Sequence, residues 1–134
     1  MRCLDLFSGI GGFALAASWV WESELDLVGF CEKDKYCQKV LTKNFPDIPI
    51  YSDITELDGR QFTNIDLVTG GFPCQDISVA GKGAGIDGER SGLWSELLRI
   101  ISEVQPRYAL IENVPMLIHR GLGRVLCDLT QIGY

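Results

Sequence analysis

Five short apolar runs, at residues 3–7, 27–31, 48–52, 65–69 and 108–111, punctuate the chain, and each is followed by helical or turn-forming sequence. Most are continuous rather than alternating. Strands buried on both faces read this way, so the runs predict parallel strands, and their alternation with helices predicts an α/β doubly wound sheet. Between them, Asp34 is placed to cap a helix carrying Tyr36, Cys37, Val40 and Leu41 on one face, with Pro46 beyond its end. Leu93, Leu97, Leu98, Ile101 and Val104 form a second apolar face that stops at Pro106, and Leu122, Val125, Leu126 and Leu129 form a third that runs to Gly133.

No repeat, low-complexity tract or charge block marks a linker, so residues 1–134 read as a single domain. The glycine-rich stretch 80–92 is the one long loop candidate; such sequence cannot pack a core and loses much backbone entropy on ordering. Gln131-Ile132-Gly133-Tyr134 reads as a helix ending where another strand would begin, so the sheet is expected to be truncated before its last strands.

Composition narrows the class. With 46% hydrophobic and 22% charged residues, the 134-residue chain is expected to form one globular core. No apolar stretch approaches the roughly 18 to 20 uncharged residues of a membrane span, and Asp5 comes too early for a secretion signal, which points to a cytoplasmic protein. Five cysteines without a Cys-x-x-Cys pair, and one histidine, argue against a disulfide framework or a metal site. His119 reads as a surface residue just before a helix. The net charge of −6 is unfavourable for phosphate contacts, so this chain alone is expected to bind nucleic acid poorly.

The first candidate site lies where the first strand enters Ser8-Gly9-Ile10-Gly11-Gly12-Phe13 and then a helix. In an open α/β sheet this turn sits at the carboxyl ends of the strands, where ligands bind, and Glu32, roughly 20 residues on, is placed to accept from ribose hydroxyls. The spacing is Gly-x-Gly-Gly rather than Gly-x-Gly-x-x-Gly. Asp5 just ahead of it would repel a pyrophosphate and suit an ammonium group, so S-adenosylmethionine fits better than a dinucleotide. Asp53, after the third strand, reads as a turn or cap residue or as a contact to an adenine amino group.

The second candidate site follows the fourth strand, in Gly70-Gly71-Phe72-Pro73-Cys74-Gln75. The two glycines leave room for a ligand and Pro73 stiffens the backbone before the Cys74 thiol, whereas Cys3, Cys31, Cys37 and Cys127 read as inert core residues. Glu112, closing a run of four apolar residues, is paired, capping or working, because a bare buried carboxylate is costly and has a raised pKa, as a proton donor requires.

Taken together, the 5–13 run, Glu32, Asp53-Ile54, Pro73-Cys74-Gln75 with Ser78, Arg90-Ser91-Gly92-Leu93 and Glu112-Asn113-Val114 resemble, in order and spacing, the first six motifs of the DNA (cytosine-5)-methyltransferase family, across nearly all of the chain. The resemblance implies a Rossmann-like S-adenosylmethionine-dependent methyltransferase sheet and methylation of cytosine C5 in double-stranded DNA. It assigns Cys74 as the nucleophile that adds to C6, Glu112 as the group that holds N3 and the exocyclic amine, and Asn113 as the residue positioning Glu112 and Pro73. Gln75 and Ser78 belong to the same catalytic run, and the 80–92 stretch resembles the family's mobile catalytic loop. The target base must be flipped out of the duplex. Around the cofactor the resemblance places Phe7, Gly9, Ile10, Gly12, Glu32, Asp53, Ile54, Gly71, Pro73 and Leu93, with Asp5. The family's Arg-rich motif, target-recognition domain and final cofactor motif are not found here, so a complementing C-terminal chain is the implied partner.

Two other readings stay open at this level. An inactive cofactor-binding or interaction remnant is disfavoured by intact Cys74, Glu112 and Glu32. A tRNA cytosine-5 methyltransferase is disfavoured by Phe72-Pro73-Cys74, where the tRNA branch tends to carry Pro-Pro-Cys.

Overall fold

The computed structural model describes residues 1–73 and 92–134. Its strands are β1 (Arg2–Leu6), β2 (Asp26–Cys31), β3 (Ile50–Tyr51), β4 (Leu67–Gly71) and β5 (Tyr108–Glu112). They alternate with helices α1 (Gly12–Trp21), α2 (Lys35–Asn44), α3 (Gly92–Val104), α4 (Leu117–Arg120) and α5 (Leu122–Gln131). The sheet order is β3-β2-β1-β4-β5 and every pairing is parallel, as the continuous apolar runs predict. Successive strands build outward from β1 in one direction, and β4 then starts again on its other side. The carboxyl ends of β1 and β4 therefore flank the crevice where the connections diverge.

The central strands are packed on both faces, whereas Tyr108 and Leu110 of the edge strand β5 are exposed. Cys3, Leu27, Phe30 and Leu67 form one buried cluster with Ala14 of α1 and Leu41 of α2. Leu4, Leu6 and Val68 form the other with Leu97, Ile100 and Ile101 of α3 and Val125 of α5. Adjacent residues of β1 and of β4 thus serve opposite cores, which is why neither strand alternates apolar with polar.

Several element boundaries differ from the sequence expectation. Strand β3 is two residues, not the five of 48–52, because Pro49 has no N–H to donate; its carbonyl instead accepts from Phe30 N at 2.9 Å. Strand β4 begins at Leu67 rather than Ile65 and runs on through both glycines, pairing Gly70 with Ile111 and Gly71 with Glu112. Asp34 does cap α2, accepting from Cys37 N at 2.9 Å. Tyr36 is 73% exposed, however, leaving Cys37, Val40 and Leu41 as the inward face. In α3 the expected stripe is joined by Trp94 and Ile100, both buried. In α5 Leu126 is exposed and Asp128 is buried, so a carboxylate lies on a face expected to be apolar. His119 lies within α4, exposed, immediately before α5.

Among the described residues no helix is long and apolar enough to cross a membrane.

Candidate active site

The turn between β1 and α1 is built from left-handed backbone. Phe7 has φ +53°, Gly9 +54° and Gly11 +90°. A phenylalanine in this region is strained by the order of 1–3 kcal/mol, a strain typical of functional turns. Ser8 fixes the turn, donating from Oγ to the Asp5 carbonyl at 2.7 Å, while Ser8 N donates to Cys31 O at 3.1 Å. The glycines divide by task. A side chain at Gly11 would meet Phe45 at 2.9 Å and Leu41 at 3.0 Å, so this glycine serves packing, whereas Gly9 and Gly12 face open space. Ile10, at the tip, is 60% exposed.

Two carboxylates, Asp5 and Glu32, border this turn and a third, Asp53, follows β3; each is held differently. Asp5 is only 1% exposed; one oxygen accepts from Thr69 Oγ1 at 2.6 Å and Oδ2 has no partner among the described residues. Burial pushes its carboxyl up to about 7, with Glu32 adding to the rise and the Thr69 hydrogen bond opposing it. Glu32 follows β2 and accepts from Gly9 N and from Asp34 N, both at 2.7 Å, so it ties the glycine turn to the start of α2. Two bonds leave a carboxylate with further acceptor capacity. Asp53 follows β3, accepting from Lys33 Nζ at 2.9 Å and from Thr55 N and Oγ1 at 3.0 and 2.8 Å. The Lys33 bond, followed by those from Thr55, lowers its carboxyl to about 2. The turn-residue reading of Asp53 is therefore realised locally. Ile54 beside it is buried, and Leu93 is half-buried at the start of α3.

At the carboxyl ends of β4 and β5 a side chain lies against each of the two glycines. A Cβ at Gly70 would lie 3.0 Å from Leu97, and one at Gly71 would lie 2.9 Å from Glu112 Oε2. The glycines admit these side chains rather than leaving a void. Glu112 is exposed, not enclosed by its apolar neighbours. Asn113 acts as a local strut, donating from Nδ2 to the Phe72 carbonyl at 3.0 Å and accepting from Val114 N at 2.9 Å. It thereby fixes the backbone that leads into Pro73. Phe72 is buried and packs on Trp94 with ring centroids 5.4 Å apart. Cys74, Gln75, Ser78 and most of the 80–92 stretch lie outside the described residues.

Of the other cysteines, Cys3 and Cys31 are buried, and burial raises both thiols to about 12, which suits inert core residues. Cys37 is half-buried and Cys127 exposed, so neither fills the core.

Three contributors escaped the sequence reading. Thr69 is Asp5's hydroxyl partner, and its signal was a lone polar residue inside an apolar strand. Asp128 accepts from the Trp94 indole at 2.9 Å and from Arg124 Nε. Arg99 bonds the main chain just after Asp53. Nothing in a one-dimensional pattern links residues 45 apart.

A parallel sheet ordered in this way, with a glycine turn after β1 and acids following β2 and β3, defines a Rossmann-like methyltransferase fold. It superposes with a TM-score of 0.77, at 26% identity, on a crystal structure described as a putative DNA modification methyltransferase encoded within an E. coli prophage, covering 99% of this chain and 37% of that one. More narrowly, the chain belongs to the C-5 cytosine-specific DNA methylase family, whose model matches residues 1–134. It is 42% identical over 136 residues to the type II methyltransferase M2.BsuMI of Bacillus subtilis, covering 98% of this chain and 34% of that protein. Against the type II methyltransferase M1.ScrFI of Lactococcus lactis subsp. cremoris it is 38% identical over 137 residues, covering 99% and 34%. The chain thus spans about a third of the length of these curated relatives.

Proposed function

We propose that residues 1–134 form the cofactor-binding and nucleophile-bearing part of a DNA (cytosine-5)-methyltransferase, which transfers a methyl group from S-adenosylmethionine to cytosine C5. The observation that carries the reading is the placing of Asp5 and Glu32 at the glycine turn, beside the strand ends that lead to Pro73 and Glu112, with Asp53 following the neighbouring strand β3. The cofactor fits this donor set. The orphan Oδ2 of Asp5 is a buried acceptor without a partner among the described residues, suited to a cationic amino-acid group, and Gly9 and Gly12 leave their backbone open to close approach. When bound, S-adenosylmethionine supplies an electrophilic methyl.

In this reading Glu32 accepts from ribose hydroxyls, Phe7 and Ile54 wall the adenine with Asp53 at its amino group, and Ile10, Gly12, Gly71, Pro73 and Leu93 complete the surround. Glu112 hydrogen-bonds cytosine N3 and the exocyclic amine, and the Cys74 thiolate adds to C6, making C5 nucleophilic. Once C5 carries the methyl that a bound cofactor would supply, loss of the C5 proton lets the Cys74–C6 bond break and frees the enzyme. Asn113 keeps Glu112 and the Phe72-Pro73 backbone in register. The family's description as a C-5 cytosine-specific DNA methylase, and the structural neighbour described as a putative DNA modification methyltransferase, support DNA as substrate. The net charge of −6 supports a division of labour in which polypeptide beyond these residues provides the phosphate-binding surface.

The test combines this chain with the C-terminal portion of a full-length relative and measures methyl incorporation into duplex DNA. Transfer is expected in the mixture and lost in Cys74→Ala. Activity surviving that substitution would remove Cys74 from its role, and covalent trapping on 5-fluorocytosine in RNA rather than DNA would reassign the substrate.

A further inference from the structure

The segment that carries Asp53 and Ile54 has little sheet to hold it. Strand β3 is two residues long, and among the described residues only β2 pairs with it. After Tyr51 the chain makes two turns, closed by Glu56 N to Asp53 O at 3.2 Å and Leu57 N to Ile54 O at 3.3 Å, before a helical turn at Gly59–Gln61. These are long, local bonds. They do not define where the segment stands relative to the rest of the crevice.

Arg99, in the middle of α3, supplies that reference. Its Nη2 donates to the Ile54 carbonyl at 2.7 Å and its Nη1 to the Leu57 carbonyl at 2.9 Å. The helix's own acids hold the rest of the fork: Nε donates to Glu96 at 2.8 Å, with Nη2 in ion-pair contact with the same carboxylate at 2.7 Å, and Nη1 donates to Glu103 at 3.0 Å. All three guanidinium nitrogens donate, to two carbonyls on one side and two carboxylates on the other, so the plane of the fork is fixed from both sides. Glu103 adds a third main-chain anchor by accepting from Gly59 N at 2.8 Å, at a glycine where a Cβ would lie 2.9 Å from the Glu103 side chain. Residues 54–59 are therefore stapled to α3 at Ile54 O, Leu57 O and Gly59 N. The same helix carries Leu93 in its first turn.

We infer that Arg99, held by Glu96 and Glu103, is a positioning residue for the adenosine end of the cofactor site, fixing the Asp53-Ile54 turn at the distance that a bound adenine requires. The inference rests on the proposed cofactor reading and adds to it a residue that touches no ligand. Lysine cannot replace it: an ammonium has three donors radiating from one point and cannot span two carbonyls and two carboxylates in one plane.

The experiment is calorimetric titration of the chain with S-adenosylhomocysteine and with S-inosylhomocysteine, in which an oxo group replaces the adenine amine. Wild type is expected to prefer the adenine compound. In Arg99→Lys the affinity for S-adenosylhomocysteine is expected to fall about tenfold, the magnitude of losing one charge-assisted hydrogen bond, and the preference between the two compounds to shrink with it. Ile100→Val, a core change on the neighbouring position, controls for stability and should leave both affinities within about twofold. Should Arg99→Lys not fold, Glu103→Gln must produce the same ranking to a smaller extent. Unchanged affinity and discrimination in the Arg99 and Glu103 variants, with wild type binding normally, overturns the inference. Failure of wild type itself to bind at millimolar ligand overturns the cofactor reading instead.

Discussion

The buried Asp5 carboxyl makes stability depend on pH in a direction opposite to that of most acids. Its carboxyl is pushed up to about 7 in the folded chain, against 3.8 for an unperturbed group, first by burial and then by the charge of Glu32, with the Thr69 hydroxyl pulling the other way. Between those two values the folded state holds a proton that the unfolded state has released. Stability from this group is therefore fully present below about pH 4 and is lost as pH rises through 7. At about 1.4 kcal/mol for each tenfold change in proton affinity, a gap of this size has a ceiling on the order of 4 kcal/mol, which relaxation around the site will lower. The groups near Asp5 limit what else can mimic the effect: Cys3 titrates only near 12 and Thr69 does not titrate in this range. Asp53 has a depressed pKa and acts in the opposite sense, near pH 2 to 4, but it faces solvent and contributes little.

Urea unfolding at pH 5, 6, 7 and 8, extrapolated to water, measures this directly. Wild type is expected to lose 1–3 kcal/mol across the range, and Asp5→Asn, which cannot ionise, to show a flat profile whatever its absolute stability. A wild-type stability that is level or rises from pH 5 to 8, or an Asp5→Asn variant with the same slope, refutes the argument. The same carboxyl predicts a proton released on cofactor binding. A cationic group brought against Asp5 favours its ionised form, so titration with S-adenosylmethionine at pH 6.5, in buffers of different ionisation enthalpy, should show proton release in wild type and none in Asp5→Asn.

Two further substitutions separate packing from ligand contact. Gly11→Ala combines a left-handed backbone with a Cβ 2.9 Å from Phe45 and should cost about 2–4 kcal/mol by urea unfolding; Gly12→Ala, helical with open space, should be neutral or stabilising yet weaken S-adenosylhomocysteine binding. Trp94→Phe keeps the contact with Phe72 but takes the indole donor from buried Asp128, and a loss of about 1–3 kcal/mol is expected. In a double-mutant cycle with Asp128→Asn, a coupling below about 0.3 kcal/mol would show that this hydrogen bond is not what Asp128 is buried for.

The parallel sheet was legible because strands packed on both faces leave a run of apolar residues that no helix period explains, and because Asp34, Pro46 and Pro106 punctuate the helices. What misled the pattern was local. Ile65 is buried and apolar, so it read as strand, although Asn64 just before it turns the chain with φ +56° and pairing starts only at Leu67. Tyr36 and Leu126 share a helical period with core residues but lie at the rim of each face, exposed among the described residues. At the site, Glu32 could be found because its distance from the glycine turn follows from the length of one βα unit. The orphan oxygen of Asp5 could not, since it depends on Thr69 being its neighbour across a strand pair 64 residues away in sequence.

The glycines show most plainly why local reading stops short of the site. Each was legible as a place where a side chain is excluded, and exclusion has more than one cause. Gly9 and Gly12 border open space, Gly11 is pressed on by Leu41 and Phe45, Gly70 is covered by Leu97, and Gly71 lies under the Glu112 carboxylate. Of these, Gly9 and Gly12 have the most open backbone. Gly71 instead ties the two strand ends together. A methyl group there would push Glu112 away from the β4 terminus, so Gly71 positions the neighbouring carboxylate.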